Sequence, residues 1–272
     1  MRPSHAESIC SDGEYGVFEG SVDDEVVHGH YRREGTWSPE IQELLADRLF
    51  REGRGTFLDV GANIGLVSIP LAERRGVRCL AFEPEPRNIE WLERNMASHG
   101  VASLFTTVNL ALHSEETRLH FELSASNFGD HRVRGAAPTE ADPKRVLIEV
   151  PAGRLDDLVR LEDLPRPIVA KLDTQGSELR VLRGAERSLP HIDHLLCEFW
   201  PHGLRRMGDS PGDLIALFRD FSYGTILRLD ELPERLPPVD RLCARLDWLP
   251  DDGSDQGFFD VLVTRHAELP GG

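Results

Sequence analysis

Short apolar runs alternate with stretches in which apolar residues recur every three or four positions, which predicts strands separated by helices. Thr56 to Val60 is a buried strand, and Gly61, Asn63 and Gly65 follow it at once as a turn opening a helix over Ile64 to Glu73, shifted or kinked by Pro70. Val77 to Glu83 is a second strand, and Pro86 starts a helix to about Ser98 that faces the sheet with Ile89, Leu92 and Met96. Leu104 to Leu112 is a third strand, Ile168 to Asp173 a fourth and His194 to Phe199 a fifth, with Gly224 to Leu229 and Phe258 to Thr264 as the last two. Helices are expected near Gly153, packing through Leu155, Leu158 and Val159, over Gly176 to Leu189, and from Pro211 to Phe221 behind a Ser210 cap. Strands spaced by helices in this way indicate an α/β sheet covered on both faces.

Two regions break the rhythm. Between His113 and Pro151 the runs Arg118 to Leu123 and Val146 to Val150 flank a tip of small and charged residues, which predicts a β-hairpin-like insertion near 113–150. Within it, the run 126–131 reads either as a ligand contact or as a plain surface turn. Residues 1–50 form an extension before the main domain of 51–272. It has strand-like pieces at Tyr15 to Phe18 and Glu25 to Val27, and a helix after Ser38 and Pro39 with Ile41, Leu44, Leu45 and Leu49 on one side. The intervening run 28–39 is dense in His, Tyr, Arg and Trp. It reads equally as a flap over a cleft, offering His28, His30, Tyr31 and Trp37, or as a solvated connector anchored by Trp37. Near the other end, Trp248 and Leu249 after a proline-rich run either pack on the body or frame a substrate mouth.

The 272 residues carry 31 Lys and Arg against 47 Asp and Glu, a formal charge of -16. Nucleic acids and anionic membranes demand a basic footprint, so neither is expected as a partner; a small-molecule substrate is. Cys10, Cys79, Cys197 and Cys243 form no C-x-x-C pair, and no apolar run reaches the length of a signal segment or membrane span, so the cytoplasm is the expected compartment. Monomer and homo-oligomer both stay open.

The chemistry is sought at the carboxyl ends of the strands, where open α/β sheets bind ligands. A glycine turn there serves a phosphate or another ligand, and Asp59, two residues before Gly61, would repel a phosphate while suiting a cationic amino group. Glu83 at the next strand end is placed to accept both hydroxyls of a ribose. A nucleoside with an amino acid and no phosphate is S-adenosylmethionine. Asn63, Gly61 and Gly65 join this site, with Asn109 and Leu110 after strand three as contacts for the adenine. Asp173 and Glu198 end strands four and five.

The runs 57–65, 81–86, 155–158, 171–178 and 181–185 resemble the FkbM-type methyltransferases, class I S-adenosylmethionine-dependent enzymes that commonly methylate hydroxyls on natural products and sugars. The resemblance covers about residues 40 to 200; the family usually has Val-Glu where this chain has Thr174-Gln175. It implies the class I fold, a Rossmann-like, seven-stranded, mostly parallel sheet. It also implies an O-methyltransferase acting on a small polar or glycosylated natural product, with an N- or carboxyl acceptor, or a non-catalytic cofactor-binding partner, as alternatives. A hydroxyl must lose its proton as it attacks. In one mechanism His30 or His202 is the base; in the other Asp173 and Glu198 hold Mg²⁺ on the substrate oxygen. Trp200, following strand five, joins Glu198 as a substrate contact.

Overall fold

The computed structural model describes residues 7–135, 145–227, 235–248 and 257–269. The chain begins with a hairpin of β1 (Ser8–Gly13) and β2 (Gly16–Ser21), then α1 (Val27–Glu34) and α2 (Pro39–Glu43), which runs on as a wider helical turn over Leu44–Leu49. The first strand of the main sheet, β3 (Thr56–Val60), leads to α3 (Ser68–Arg75), β4 (Arg78–Phe82), α4 (Pro86–Ser98) and β5 (Phe105–Val108). The insertion contains β6 (Ala111–Leu112), β7 (Thr117–Leu123), β8 (Arg132–Val133) and β9 (Val146–Gly153). There follow α5 (Leu155–Leu158), β10 (Ile168–Leu172), α6 (Glu178–Arg183), β11 (His194–Phe199), α7 (Pro201–Arg206) and α8 (Pro211–Phe218). The described chain ends with β12 (Tyr223–Ile226), α9 (Val239–Asp247) and β13 (Phe259–Thr264).

The main sheet has the order β12-β13-β11-β10-β3-β4-β5. Its five strands β11, β10, β3, β4 and β5 are parallel, while β13 runs antiparallel between β11 and β12. Side chains alternate between its faces. Phe57, Cys79, Val169 and Leu196 pack with α3, α4 and the N-terminal elements, whereas Leu58, Leu80, Ala170 and Leu195 belong to the core on the other face, with Leu179, Leu214 and Leu242 of α6, α8 and α9. At the carboxyl ends the first face turns polar: Asp59, Lys171, Glu198 and Asp260 continue the alternation of Phe57, Val169, Leu196 and Leu262. Lys171 is directly opposite Asp59, and Glu198 directly opposite Asp260.

Several expectations are corrected. The segment at 28–39 is a helix followed by a turn, because Asp24 caps it: its carboxylate accepts the backbone N–H groups of Val26, Val27 and His28 at 3.2, 3.1 and 2.8 Å. Glu25–Val27 is therefore no strand. The third strand breaks at Asn109, and Ala111–Leu112 joins the insertion's sheet instead. The helix after Gly176 is shorter than its apolar spacing suggests, and α9 was not anticipated. Pro70 stands at the third position of α3, and the Leu66 carbonyl four residues before it accepts from the Gln42 side-chain amide instead, at 2.9 Å. The insertion is as expected, with β7 and β9 paired antiparallel from Thr117–Ala152 to Leu123–Val146. Among the described residues the four cysteines are all unpaired, and no helix is long and apolar enough to cross a membrane. Trp248 is exposed, and Leu249 lies outside the described residues.

Candidate active site

A cleft opens at the carboxyl ends of β3, β4 and β10. Its floor is Asp59, Gly61, Ala62 and Asn63; Glu83, Pro84 and Leu110 form one side, and Lys171, Asp173 and Thr174 the other. The insertion supplies the wall, through Phe121, Phe128, Gly129, His131 and Val133, and Val27 and Trp37 close the rim.

The glycine turn does not work as a phosphate cradle. Gly61 and Ala62 donate to the Phe82 carbonyl at 2.9 and 3.2 Å, Asn63 donates to Glu83 Oε2 at 2.9 Å, and Gly65 donates to the Ala62 carbonyl at 3.0 Å. Ile64 N–H is taken by the Asn63 side chain at 2.8 Å. With its N–H groups spent internally, the turn has nothing to offer a pyrophosphate. Glycine is needed at 61 for packing: at φ 85°, an added Cβ would lie 2.1 Å from the Asp173 carbonyl oxygen. Gly65 is off the cleft, since its Cβ position faces Ile69 and Leu92 at 2.6 Å. Its assignment to the cofactor is corrected to helix packing.

Asp59 is fully buried, and both carboxylate oxygens lack a hydrogen-bond partner, as does the nearby Ser68 hydroxyl. Burial pushes its pKa up, while Lys171 and then the Ser68 hydroxyl, which stands near the carboxylate though outside hydrogen-bonding geometry, act in the opposite direction. Lys171 donates to Asp173 at 2.9 Å. Burial opposes the lysine's charge, but Asp173 and Asp59 outweigh it and drive the pKa up, so Lys171 is a fixed cation and not a base. A Gln175 amide N–H also donates to Asp173, at 2.9 Å.

Glu83 accepts N–H groups from Asn63 at 2.9 Å and Glu85 at 3.0 Å, one per oxygen, leaving a second lone pair on each. Burial raises its pKa to about 7. The unfolded carboxyl ionises first, so folding loses stability as pH climbs from 4.5 to about 7. Hydroxyls donating to Glu83 favour its anion, so nucleoside binding should release a proton. Affinity for S-adenosylhomocysteine is expected to rise at least about tenfold per pH unit between pH 5 and 7, the slope of the one proton linked through Glu83. Calorimetry in buffers of different ionisation heat checks this; a pH-independent affinity would remove Glu83 from the site.

Other assignments divide. Leu110 lines the cleft, whereas Asn109 is exposed and donates to the carbonyls of Glu83 and Pro84 at 2.8 and 3.2 Å, fixing the strand end. Trp37 reaches the rim. His28 does not: its ring is buried between the Ser21 and Phe18 carbonyls, each 3.3 Å away. Tyr31 is also structural, donating to the Gly16 carbonyl at 2.6 Å and accepting from Tyr15 N–H at 3.2 Å. His30 packs edge-on against Trp37, and His202 lies beside Trp200 on α7; neither lines the cleft. Trp200 is buried, with Gly203 packed against its ring.

Glu198 is likewise outside the cleft. The Gln175 amide reaches Asp173 and, at 3.3 and 3.5 Å, both oxygens of Glu198. A donor stands where the shared-ion reading needs a cation, and among the described residues no three His, Cys, Asp or Glu side chains are grouped to hold a metal. Burial, then Asp173, Glu178 and Asp260, push the Glu198 pKa well up, so it favours its protonated form. Glu178 accepts from Thr174 N–H, Thr174 hydroxyl and Gly176 N–H at 2.9, 2.9 and 3.2 Å, closing the turn that presents Asp173. Arg206 ties this turn to the insertion through the carbonyls of Gln175 and Val133, at 2.7 and 2.8 Å.

Of the insertion wall, sequence reasoning misses Phe121 and Val133 and leaves the 126–131 run open between a ligand contact and a surface turn. The 126–131 run lines the cleft because Phe128 is held from three sides. Its N–H donates to Asp24 at 3.2 Å, its carbonyl accepts from Asn63 at 3.1 Å, and its ring stacks on Trp91 at 6.3 Å. Only its aromatic and histidine within a polar tip signalled this.

The sheet order, the single antiparallel β13 and a cleft with acids at adjacent strand ends define a class I methyltransferase fold. The sequence profile of the methyltransferase FkbM domain matches residues 59–224, and the chain belongs to that family. The family's cofactor is S-adenosylmethionine, and the residues present fit it: an orphaned buried carboxylate for its amino group, Glu83 for its ribose and Leu110 for its base. The hexuronic acid methyltransferase AglP of Haloferax volcanii is 30% identical over 169 residues, which span 61% of this chain and 62% of AglP. The 31-O-demethyl-FK506 methyltransferase FkbM of Streptomyces tacrolimicus is 25% identical over 222 residues, covering 70% of this chain and 83% of that protein. Among solved structures, the methyltransferase FkbM of Methylobacillus flagellatus KT aligns with a TM-score of 0.42 and 18% identity, over 78% of this chain and 44% of that one.

Proposed function

We propose that this protein methylates a hydroxyl group on a small polar or glycosylated natural product. The observation that carries the reading is the buried, partnerless Asp59 carboxylate beside the Lys171–Asp173 pair, at the bottom of a cleft whose glycine turn has no N–H left for phosphate. Bound S-adenosylmethionine supplies an electrophilic methyl group on a sulfonium. Asp59 holds the cationic amino group and Glu83 the ribose hydroxyls. Asp173 faces the cleft with its side chain 41% exposed, fixed by Lys171 and Gln175, and accepts the hydroxyl proton as the oxygen attacks. Lys171 neutralises the neighbouring acids and keeps Asp173 in place. The rest of the rate comes from alignment of the attacking oxygen within roughly 3–3.5 Å of the methyl carbon. A Mg²⁺-assisted route has no support in this arrangement, because Gln175 already bridges the two acids.

The oxygen acceptor draws on the relatives, one named for a hexuronic acid and the other for 31-O-demethyl-FK506. The protein should transfer isotopically labelled methyl from S-adenosylmethionine to alcohols in a panel of glycosides, uronic acids and macrolide alcohols. Mild base separates the outcomes. A label that survives is an ether, as proposed, and one lost on hydrolysis is an ester, which would move the acceptor to a carboxylate. Cofactor binding without transfer to any panel member would favour a non-catalytic partner.

A further inference from the structure

His131 is the one cleft-lining histidine among the described residues, and nothing above gives it a task. It is 7% exposed, and its Nδ1 accepts the Ser124 backbone N–H at 3.1 Å. A neutral imidazole that accepts at Nδ1 carries its proton on Nε2. Burial, then the charges of Arg87 and Arg145, push its pKa down to about 3, so the ring stays neutral. Nε2 is buried with no hydrogen-bond partner. His131 is therefore a stranded donor, unable to act as a base through the nitrogen it has left.

A buried N–H without a partner is disfavoured and is rarely left so in a native structure. Its surroundings indicate what satisfies it. Phe121 stands edge-on to the ring and Phe128 lies tilted beside it, with centroids 6.4 and 4.8 Å away, so the imidazole sits among apolar rings. The Phe128 carbonyl binds Asn63, whose N–H binds Glu83, and the Phe128 ring stacks on α4, the helix that starts just after Glu83. Arg87, in the first turn of α4, is close enough to depress the histidine's pKa. Through these contacts the Phe128–His131 part of the insertion closes over the side of the cleft that carries Glu83.

We infer that the insertion caps the nucleoside half of the cofactor, with His131 donating Nε2–H to an acceptor on it, a ring nitrogen of adenine or a ribose oxygen. This rests on the proposed use of S-adenosylmethionine in the cleft. His131 is a binding residue here and takes no proton.

The test is calorimetry with S-adenosylhomocysteine and with adenosine alone. His131→Phe keeps a flat ring and removes the donor; both ligands should weaken about tenfold, the scale of one hydrogen bond. His131→Gln restores an N–H donor and should return both to within about threefold of the parent. Unchanged affinity in His131→Phe, with the parent binding normally, overturns the inference and leaves the proposed function standing. Failure of the parent to bind S-adenosylhomocysteine overturns both. Should His131→Phe not fold, the unaltered protein still decides: on adding S-adenosylhomocysteine to ¹⁵N-histidine-labelled protein, the His131 Nε2–H resonance should move downfield. A stationary resonance in the bound protein contradicts the contact.

Discussion

Asp173→Asn is expected to lower kcat about 100-fold or more while changing the KM for S-adenosylmethionine by less than about threefold, the range general-base removal produces. Asn is the same size, and its single carbonyl oxygen can still accept from Lys171, which donates at 2.9 Å in the parent; Gln175 loses its acceptor on residue 173 but keeps Glu198, so the turn closed by Glu178 should persist. It cannot take up the proton that a hydroxyl loses on methylation. Among the described residues, no other that lines the cleft is a ready substitute. Lys171 is a fixed cation and His131 a neutral donor, while Asp59 and Glu83 are the groups proposed above to hold the cofactor. Steady-state kinetics with a fixed acceptor, beside a thermal melt to show that the variant is folded, reads the split. Retention of more than half the parental kcat would remove Asp173 from the chemistry, and an equal rise in cofactor KM would make it a binding group.

Asp59→Asn should separate binding from stability in opposite directions. The parent buries a carboxylate whose oxygens have no hydrogen-bond partner, and burial dominates its raised pKa over the opposing attraction of Lys171. Because the folded pKa lies above the unfolded one, the anion is a penalty on folding that appears as pH rises through the unfolded value and persists above the folded one. Asn removes that penalty, and Lys171 keeps its direct partner in Asp173. The melting midpoint at pH 8 is therefore expected to rise. Ligand binding should suffer, because a charge-assisted hydrogen bond of about 1.5–3 kcal/mol to the cofactor's amino group is lost, or roughly 10- to 150-fold in Kd. Calorimetry with S-adenosylhomocysteine and a thermal melt on the same sample measure both. A variant that melts lower and binds as before would make Asp59 a structural residue.

These two side chains differ in how openly the chain announces them. Asp59 was legible because an acid at the end of a fully apolar strand, two residues before a glycine, has no ordinary reason to be buried. Glu83 was legible on the same ground, and so were the seven strands, since burial on a sheet face imprints itself on the local alternation of side chains. Asp173 and Glu198 looked equivalent, each an acid at a strand end. They are separated by the single amide of Gln175 and by which strand end borders the cleft, and both depend on contacts between strands. His28 and Tyr31 looked like a ligand-binding flap because polar aromatic residues are ambiguous until their partners are known. Here the partners are carbonyls of the β1–β2 hairpin.

The sequence by itself therefore determined the α/β order, the insertion, the glycine turn and the two acids that suit an S-adenosyl ligand, all of which follow from local periodicity and short-range chemistry. The tertiary structure alone decided that the turn spends its N–H groups internally and that Asp173 but not Glu198 faces the cleft. It also decided that Phe128 and His131 come over the side of the cleft that carries Glu83, with Phe128 binding Asn63 from 65 residues further along the chain. The reason is physical: periodicity records whether a side chain is buried, whereas its partner is chosen by strand order and by where distant segments dock.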